Sequence, residues 1–375
     1  MKRIVFVHQA STVGGGSYCL LNLLKAVDRS QFEPVALLKD DGPLVDEIEK
    51  LDIRVELMPS MDVAPYNTSF KRPGTWVTYL SALLSRRAFR IKMVELNPDI
   101  LYLNNSMLYP YLSVAKKMGI KTVIHVREHW PLEEHKVQLS WLQNNVRKYA
   151  DRVVAINRYS AKMVNCPEKN IAMVYDWIDF SNRYKEHDLN MIFGEEMTDK
   201  KLYLYTGGMQ PIKGCKEVLT TFTRIKNEDA RLLALGVDGS QPDVNAIIAH
   251  DKRIVCMPAV YELKDLLEKC YCVLSFFTIP HANLALAEAV TLKVPVISAK
   301  TDESDEYSDG GHLAVLFEMN NLHAFEDKIK HFEEERKELK TRLEESSVKI
   351  ALKFNKEINE QVFRDVLSGF NDYSK

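Results

Sequence analysis

This chain predicts two Rossmann-like α/β domains, each built on a doubly wound parallel sheet. Three observations lead there. Short apolar runs alternate with amphipathic segments along almost the whole length. The runs are continuously apolar rather than alternating, which is the pattern of strands covered on both faces. They also fall into two series, separated by a polar stretch of little periodicity over Asp176–Lys201. At 375 residues the chain is long enough for two cores of ordinary size.

In chain order, the first series places strands at Ile4–His8, Pro34–Leu38, Ile53–Leu57, Ile100–Asn104, Thr122–Val126 and Val153–Ile156. Between them, Tyr18–Val27, Val77–Leu96 and Glu134–Tyr149 carry the helical period. The second series places strands at Leu202–Thr206, Leu232–Gly236, Ile254–Met257, Cys272–Phe276, Val294–Ala299 and Ala314–Phe317. The boundary this implies gives domains over 1–178 and 179–354. A tail from Asn321 to Leu367 is strongly helical and rich in Glu and Lys.

Composition excludes several classes. Six cysteines are scattered without metal-ligand spacing, which fits reduced core thiols in a cytoplasmic protein. No window approaches the roughly 18 apolar residues of a membrane span. The opening MKRIVFVHQ reads as a strand rather than a signal peptide. No nucleic-acid motif, internal repeat or low-complexity segment is present. A net charge of −2 hides an asymmetry: residues 1–175 hold 24 Lys+Arg against 17 Asp+Glu, whereas 176–375 hold 26 against 35. The basic half is expected to face something anionic.

The chemistry-bearing patterns sit after strands. In Phe276–Ser298 a strand runs into a polar loop, a helix opens near Asn283, and Glu288 follows about one turn later. The first amides of a helix lack intrahelical partners, so Leu284 and Ala285 offer N–H groups to an anion. Glu288 can accept from a diol. Phosphate at the helix end with a diol beside the carboxylate describes a nucleotide sugar. Earlier, YLYTGGMQPIKGCKEVL places Gly207, Gly208 and Lys213 between a strand and a helix. One charge-assisted bond from such a lysine to a phosphate is worth about 1.5–3 kcal/mol. The loop after the first strand contains Gly14, Gly15 and Gly16, suited either to a ligand's approach or to close packing. It lacks the third glycine of a dinucleotide fingerprint. KTVIHVREHW carries His125, Arg127 and Glu128 at a strand's carboxyl end. Residues 70–94 hold six basic residues and no acidic one, interleaved with Phe70, Trp76, Tyr79, Leu80, Leu83, Leu84, Phe89 and Ile91. Such a segment suits either an anionic membrane surface or a packed helix with a solvated basic side.

These motifs, in this order, resemble the retaining glycosyltransferases of family 4, which have the GT-B fold. Glu288-Ala289 and Val294-Pro295-Val296-Ile297 resemble that family's E-x-F-G-L-x-x-x-E-A and the strand after it, with Asn283 at the glycine position and Pro280 where the first glutamate belongs. Lys213-Gly214 resembles the end of G-R-x-x-x-x-K-G, with Gly208 in the arginine's place. Gly15, Gly16, Asn22 and Leu23 resemble the opening G-G-A-E-x-x-x-x-N-L, and His125 to Glu128 resembles H-x-H-D with Arg127 at the second histidine.

The resemblance implies two domains facing a central cleft, with a final helix over 355–375 completing the first. It implies transfer of a sugar from a UDP- or GDP-sugar to an acceptor hydroxyl, with retention, without metal, and with no cofactor beyond the donor as co-substrate. Lys213, Arg127 and Glu128 become the catalytic candidates. Glu288, Asn283, Leu284, Ala285, Gly207, Gly208, His281 and Thr278 become the donor-binding ones, Thr278 or His281 being left to replace the missing glutamate. Gly15, Gly16 and His125 fall to the acceptor side or a phosphate loop. Partners would be the nucleotide sugar, a saccharide or lipid-linked acceptor in bacterial polysaccharide or glycolipid assembly, and an anionic membrane surface through 70–94. The location would be cytoplasmic or peripheral on the membrane's inner face. The departures at Pro280, Gly208 and Tyr18 leave a catalytically inert GT-B binding protein as the alternative.

Overall fold

The computed structural model describes residues 1–12, 14–66, 68, 71–130, 136–181, 184–238, 240–260 and 263–370. Phe70, Glu134, His135, Asn182 and Arg183 lie outside the described residues. The chain divides into two compact units, Met1–Trp177 with Lys356–Lys375, and Ile178–Asn355.

The first unit holds seven strands: β1 (Lys2–His8), β2 (Phe32–Leu38), β3 (Arg54–Leu57), β4 (Ile100–Leu103), β5 (Lys121–Val126), β6 (Arg152–Ala155) and β7 (Ile171–Met173). They pair in the order β3-β2-β1-β4-β5-β6-β7, and all pairs are parallel. The second unit holds β8 (Lys201–Tyr205), β9 (Ala230–Leu235), β10 (Ile254–Met257), β11 (Cys272–Ser275), β12 (Val296–Ala299) and β13 (Val315–Phe317), ordered β10-β9-β8-β11-β12-β13 and also parallel. In each sheet the chain starts near the middle, steps outward to one edge, then returns to continue on the other side. The reversal falls between β1 and β4, and between β8 and β11. Ligands of such sheets bind outside the strands' carboxyl ends at that reversal.

Alternate residues of β1 feed two separate cores. Val5 and Val7 join Leu101, Leu103, Phe89 and Met93 on one face. Ile4 and Phe6 join Leu20, Leu24, Tyr102, Val154 and the last helix on the other. That helix, Lys356–Ser368, buries Phe363, Val366 and Leu367 in the first unit. Phe363 lies 6.5 Å from Phe6 and 5.8 Å from Tyr102, ring centre to ring centre.

β7 has no counterpart among the expected strands, because three half-buried residues carry too little pattern to mark an edge strand. The first helix begins at Gly15 rather than Tyr18, so the glycines expected in a loop are its first turn. The helical tail is four helices, Leu322–Lys330, Phe332–Ser346, Val348–Lys353 and Lys356–Ser368. All six cysteines are free. Among the described residues no helix is long and apolar enough to cross a membrane.

Truncating Phe363 to alanine removes a ring fully buried between two others. Phe363→Ala is expected to destabilise the first unit by about 3–5 kcal/mol, read as a lowered urea midpoint. A change below 1 kcal/mol would show that the last helix is dispensable to that core.

Candidate functional site

In the second unit, two loops meet at the β8/β11 reversal. The loop after β8 ends in a short 3-10 turn, Pro211–Lys213. The loop after β11 leads into the helix Leu284–Thr291. Backbone joins them: the Thr278 amide donates to the Ile212 carbonyl at 3.1 Å, and its hydroxyl reaches the Pro211 carbonyl at 3.4 Å. Gly214 lies so close to Phe276 that a Cβ would sit 2.5 Å from its carbonyl oxygen, and its φ is +66°. Only glycine fits there.

Tyr205, at the end of β8, sets the shape of the first loop. Its hydroxyl lies 2.9 Å from the Gly208 carbonyl and 3.1 Å from that of Lys213, positioned to donate to either. Gly207 must be glycine because a Cβ would fall 2.3 Å from that hydroxyl. Gly208 takes φ +66°, a region where a side chain costs roughly 1–2 kcal/mol. The family's arginine is therefore absent from a position whose backbone disfavours it.

Lys213 is the electrostatic focus. Its ammonium stands 5.3 Å from the centre of the buried Phe277 ring. Among the described residues it meets no carboxylate and no hydrogen-bond acceptor. Burial holds its pKa below the ordinary lysine value. A cation drawn out of water and left unpaired favours an anion. The Phe277 ring partly compensates, a contact worth about 0.5–2 kcal/mol. His281 packs edge-on against the same ring, with centres 6.0 Å apart.

The helix Leu284–Thr291 shows why asparagine replaces the family's glycine at 283. The Asn283 side chain is 1% exposed. Its carbonyl accepts from the Leu286 amide, and its amide donates at 3.0 Å to both Ser275 and Ser298. Those serines sit side by side at the ends of β11 and β12. The Asn283 side chain, expected among the donor-binding residues, ties the helix start to the sheet through these three bonds. Thr278 is likewise engaged by the fold, its carbonyl also accepting from Asn320 at 3.1 Å. The Leu284 and Ala285 amides have no partner among the described residues, because the cap serves Leu286. Glu288 is buried one turn on.

The first unit's candidates form a different kind of site. His8 ends β1, Asn104 follows β4 and His125 lies in β5; their register aligns them across the sheet. All three are buried. Asn104 contacts His8 at 3.2 Å, and Tyr102 contacts His125 at 2.9 Å. Burial first, and the Arg127 charge second, depress both histidines, His8 to about 4 and His125 well below the usual range. Both are neutral at physiological pH.

Arg127, expected among the catalytic candidates, is paired. Its Nη2 bonds Asp176 at 2.5 Å, with the side chains 9% and 10% exposed. Burial opposes its charge, but Asp176, Cys19 and Glu128 together outweigh that and raise the pKa. The Cys19 thiol beside the pair is pushed up by burial and then by Asp176. Glu128 is engaged as well. Its carboxylate turns inward to accept from the Ser106 amide at 2.7 Å and from the Ser106 hydroxyl, so it anchors the 3-10 turn Ser106–Tyr111. Burial raises its pKa. Four buried polar atoms here have no partner among the described residues: His8 Nε2, Asn104 Oδ1, His125 Nε2 and Arg127 Nη1.

The glycine run has a clearer meaning in three dimensions. A Cβ at Gly14, Gly15 or Gly16 would meet nothing within 4 Å. None of the three has positive φ. Packing against the described residues therefore does not require glycine at these three positions. Sequence reading missed His8, Asn104, Tyr205 and the Ser275/Ser298 pair. The signal for all but Ser298 was their place at or just after a strand's carboxyl end. Among the described residues no group of three or more His, Cys, Asp or Glu gathers as a metal site.

Comparison with known proteins agrees with this architecture. The family described as Glycosyl transferase 4-like domain matches residues 14–166, and that described as Glycosyl transferases group 1 matches residues 200–335. No curated protein sequence matches. Among solved structures, Anabaena Alr3699/HepE in complex with UDP-glucose superposes with a TM-score of 0.76 at 17% identity, covering 98% of this chain and 100% of its own. Sucrose-phosphate synthase from Thermosynechococcus elongatus gives 0.73 at 12% identity, covering 100% of both chains. The lipopolysaccharide outer core galactosyltransferase WaaB gives 0.65 at 15% identity, covering 99% and 100%.

Replacing the cap tests the local argument. Asn283→Ala loses the helix cap, worth about 0.5–2 kcal/mol, and leaves two buried serine hydroxyls without their donor. A fall in thermal stability within or above that range is expected. Wild-type stability would mean the cap does not hold the helix start.

Proposed function

Because this chain belongs to the group 1 glycosyltransferases of GT-B architecture, we propose that it moves a sugar from a nucleoside diphosphate to an acceptor hydroxyl, with retention and without a metal. The observation that carries the reading is the unpaired, half-buried Lys213 ammonium beside the loop that opens the Glu288 helix. A diphosphate is the anion it suits. UDP-glucose, named for the Anabaena neighbour, supports a UDP-sugar donor.

In this reading the second unit holds the donor. The Leu284 and Ala285 amides and Lys213 face the diphosphate, Glu288 receives the ribose hydroxyls, and His281 stands toward the sugar. When the bond from the anomeric carbon to the diphosphate breaks, its electron pair stays on the leaving oxygen. A preorganised cation and two aimed amides stabilise that charge without reorganising. The new bond forms from the acceptor oxygen on the same face, and the acceptor's proton leaves with the diphosphate. The first unit, with its open Gly14–Gly16 turn and neutral His8 and His125, takes the acceptor side. The acceptor is a saccharide or a lipid-linked saccharide in bacterial polysaccharide or glycolipid assembly, handled in the cytoplasm or at the membrane's inner face. The galactosyltransferase neighbour's lipopolysaccharide supports the lipid-linked case.

A second reading, a catalytically inert GT-B binding protein, is favoured by Pro280 and Gly208 and by the engagement of Arg127 with Asp176. Nucleotide release from a panel of UDP- and GDP-sugars separates the two, and silence with every donor and acceptor supports the second.

Lys213→Ala is expected to lower turnover by the equivalent of about 2.7–4 kcal/mol of barrier, with modest loss of UDP affinity by calorimetry. Glu288→Ala should weaken UDP binding first. Undiminished turnover in Lys213→Ala rejects the assignment.

The lysine also predicts a pH edge. Its pKa in the free protein lies below 10.5, and a bound anion favours the charged form. UDP affinity should hold at neutral pH and fall as pH rises through that lowered value. For stability the sign is opposite: the unfolded lysine binds its proton more tightly, so the penalty of the buried charge lifts as pH climbs toward 10.5. Lys213→Met should remove the affinity edge; its persistence would assign the edge elsewhere.

A further inference from the structure

The helix Pro73–Leu96 has two unlike faces. Thr75, Ala82, Ser85, Phe89, Met93 and Leu96 are buried. Opposite them, Trp76, Val77, Leu80, Leu84, Ile91 and Val94 stand between 45% and 78% exposed. At about 100° per residue these six share one stripe, and Val77 to Val94 extends it for about 26 Å. Soluble proteins seldom leave so long an apolar ridge uncovered without a partner.

Its charges say which partner. Arg87 lies within the stripe, Arg90 along one flank and Arg72 just before the helix, and no acidic residue occurs between 70 and 94; Glu95, at the stripe's far end, is paired with Lys92 at 3.2 Å. Arg86 and Lys92 are engaged internally, Arg86 with Ser113 at 2.6 Å and Lys92 with Glu56 at 2.8 Å. Arg72, Arg87 and Arg90 have no carboxylate partner among the described residues. A second copy of the helix would set arginine against arginine. A nucleic acid would leave the apolar ridge unmatched. A bilayer with anionic headgroups satisfies both features: the apolar side chains enter the interface, the arginines reach the headgroups, and Trp76 suits the boundary between them.

We propose that this face docks the protein on an anionic lipid bilayer. The inference rests on the reading of a peripheral enzyme with a lipid-linked acceptor and names the surface that places it there.

Flotation of the full chain with vesicles of phosphatidylcholine alone, or with about one-third phosphatidylglycerol, tests it. Binding is expected only with the anionic vesicles and should weaken as salt rises. Arg87→Gln with Arg90→Gln should lower partitioning roughly 30-fold, the conversion of about 1 kcal/mol per basic residue. Leu84→Ser with Ile91→Ser should lower it more than about tenfold. Both pairs are exposed, so folding and vesicle-free nucleotide release should match wild type. Equal binding to both vesicle types, undiminished binding in the serine variant, or a dimer formed through this stripe overturns the proposal. Failure of nucleotide release with flotation intact overturns the transferase reading alone.

Discussion

A lysine ammonium drawn partly out of water, with no carboxylate among the described residues to balance it, is the condition on which the second unit's site depends. Charges in that position are normally paired, because desolvation otherwise costs several kcal/mol. Here the neighbouring groups secure the backbone and leave the charge itself exposed to a visitor. Tyr205 holds the carbonyls of Gly208 and Lys213, Gly207 clears space for that ring, and Gly214 lets the turn press against Phe276. Lys213 is held in place but not neutralised.

The first unit handles the same problem in the opposite way. Its arginine is answered by Asp176, and the pair is closed off beside Cys19. Among the described residues, the buried polar atoms left without a partner there are a ring nitrogen on each of two neutral histidines, an asparagine carbonyl and one nitrogen of that paired guanidinium. Three of these four groups are neutral, unlike the ammonium in the second unit. Both sets lie where their sheets reverse direction, so the same topology positions two chemistries.

The helix Leu284–Thr291 shows how a family pattern can change its residues while retaining the feature that matters. Glycine at its start would leave the amides open by having no side chain. Asparagine leaves the first two open by capping the third, and also ties the helix to two strands. The first two amides are therefore left open on a helix start that is tied to the sheet.

The amino-acid order by itself determined the two-sheet architecture, because buried parallel strands are continuously apolar and most of the thirteen announce themselves that way; β3, with Arg54 and Glu56, is marked only by alternation, and β7 is unmarked. It also determined which loops carry glycine, lysine and the helix-borne carboxylate. It did not decide the state of the ionisable groups. Arg127 and Glu128 look identical in sequence to free site residues, and only distant partners, Asp176 and Ser106, show them engaged. Lys213 looks like a surface lysine, and only the packing of Phe277 makes it an unpaired, desolvated charge. The physical reason is range. Strand and helix patterns are set by neighbours along the chain, whereas the charge state of a buried group is set by whatever the fold brings against it.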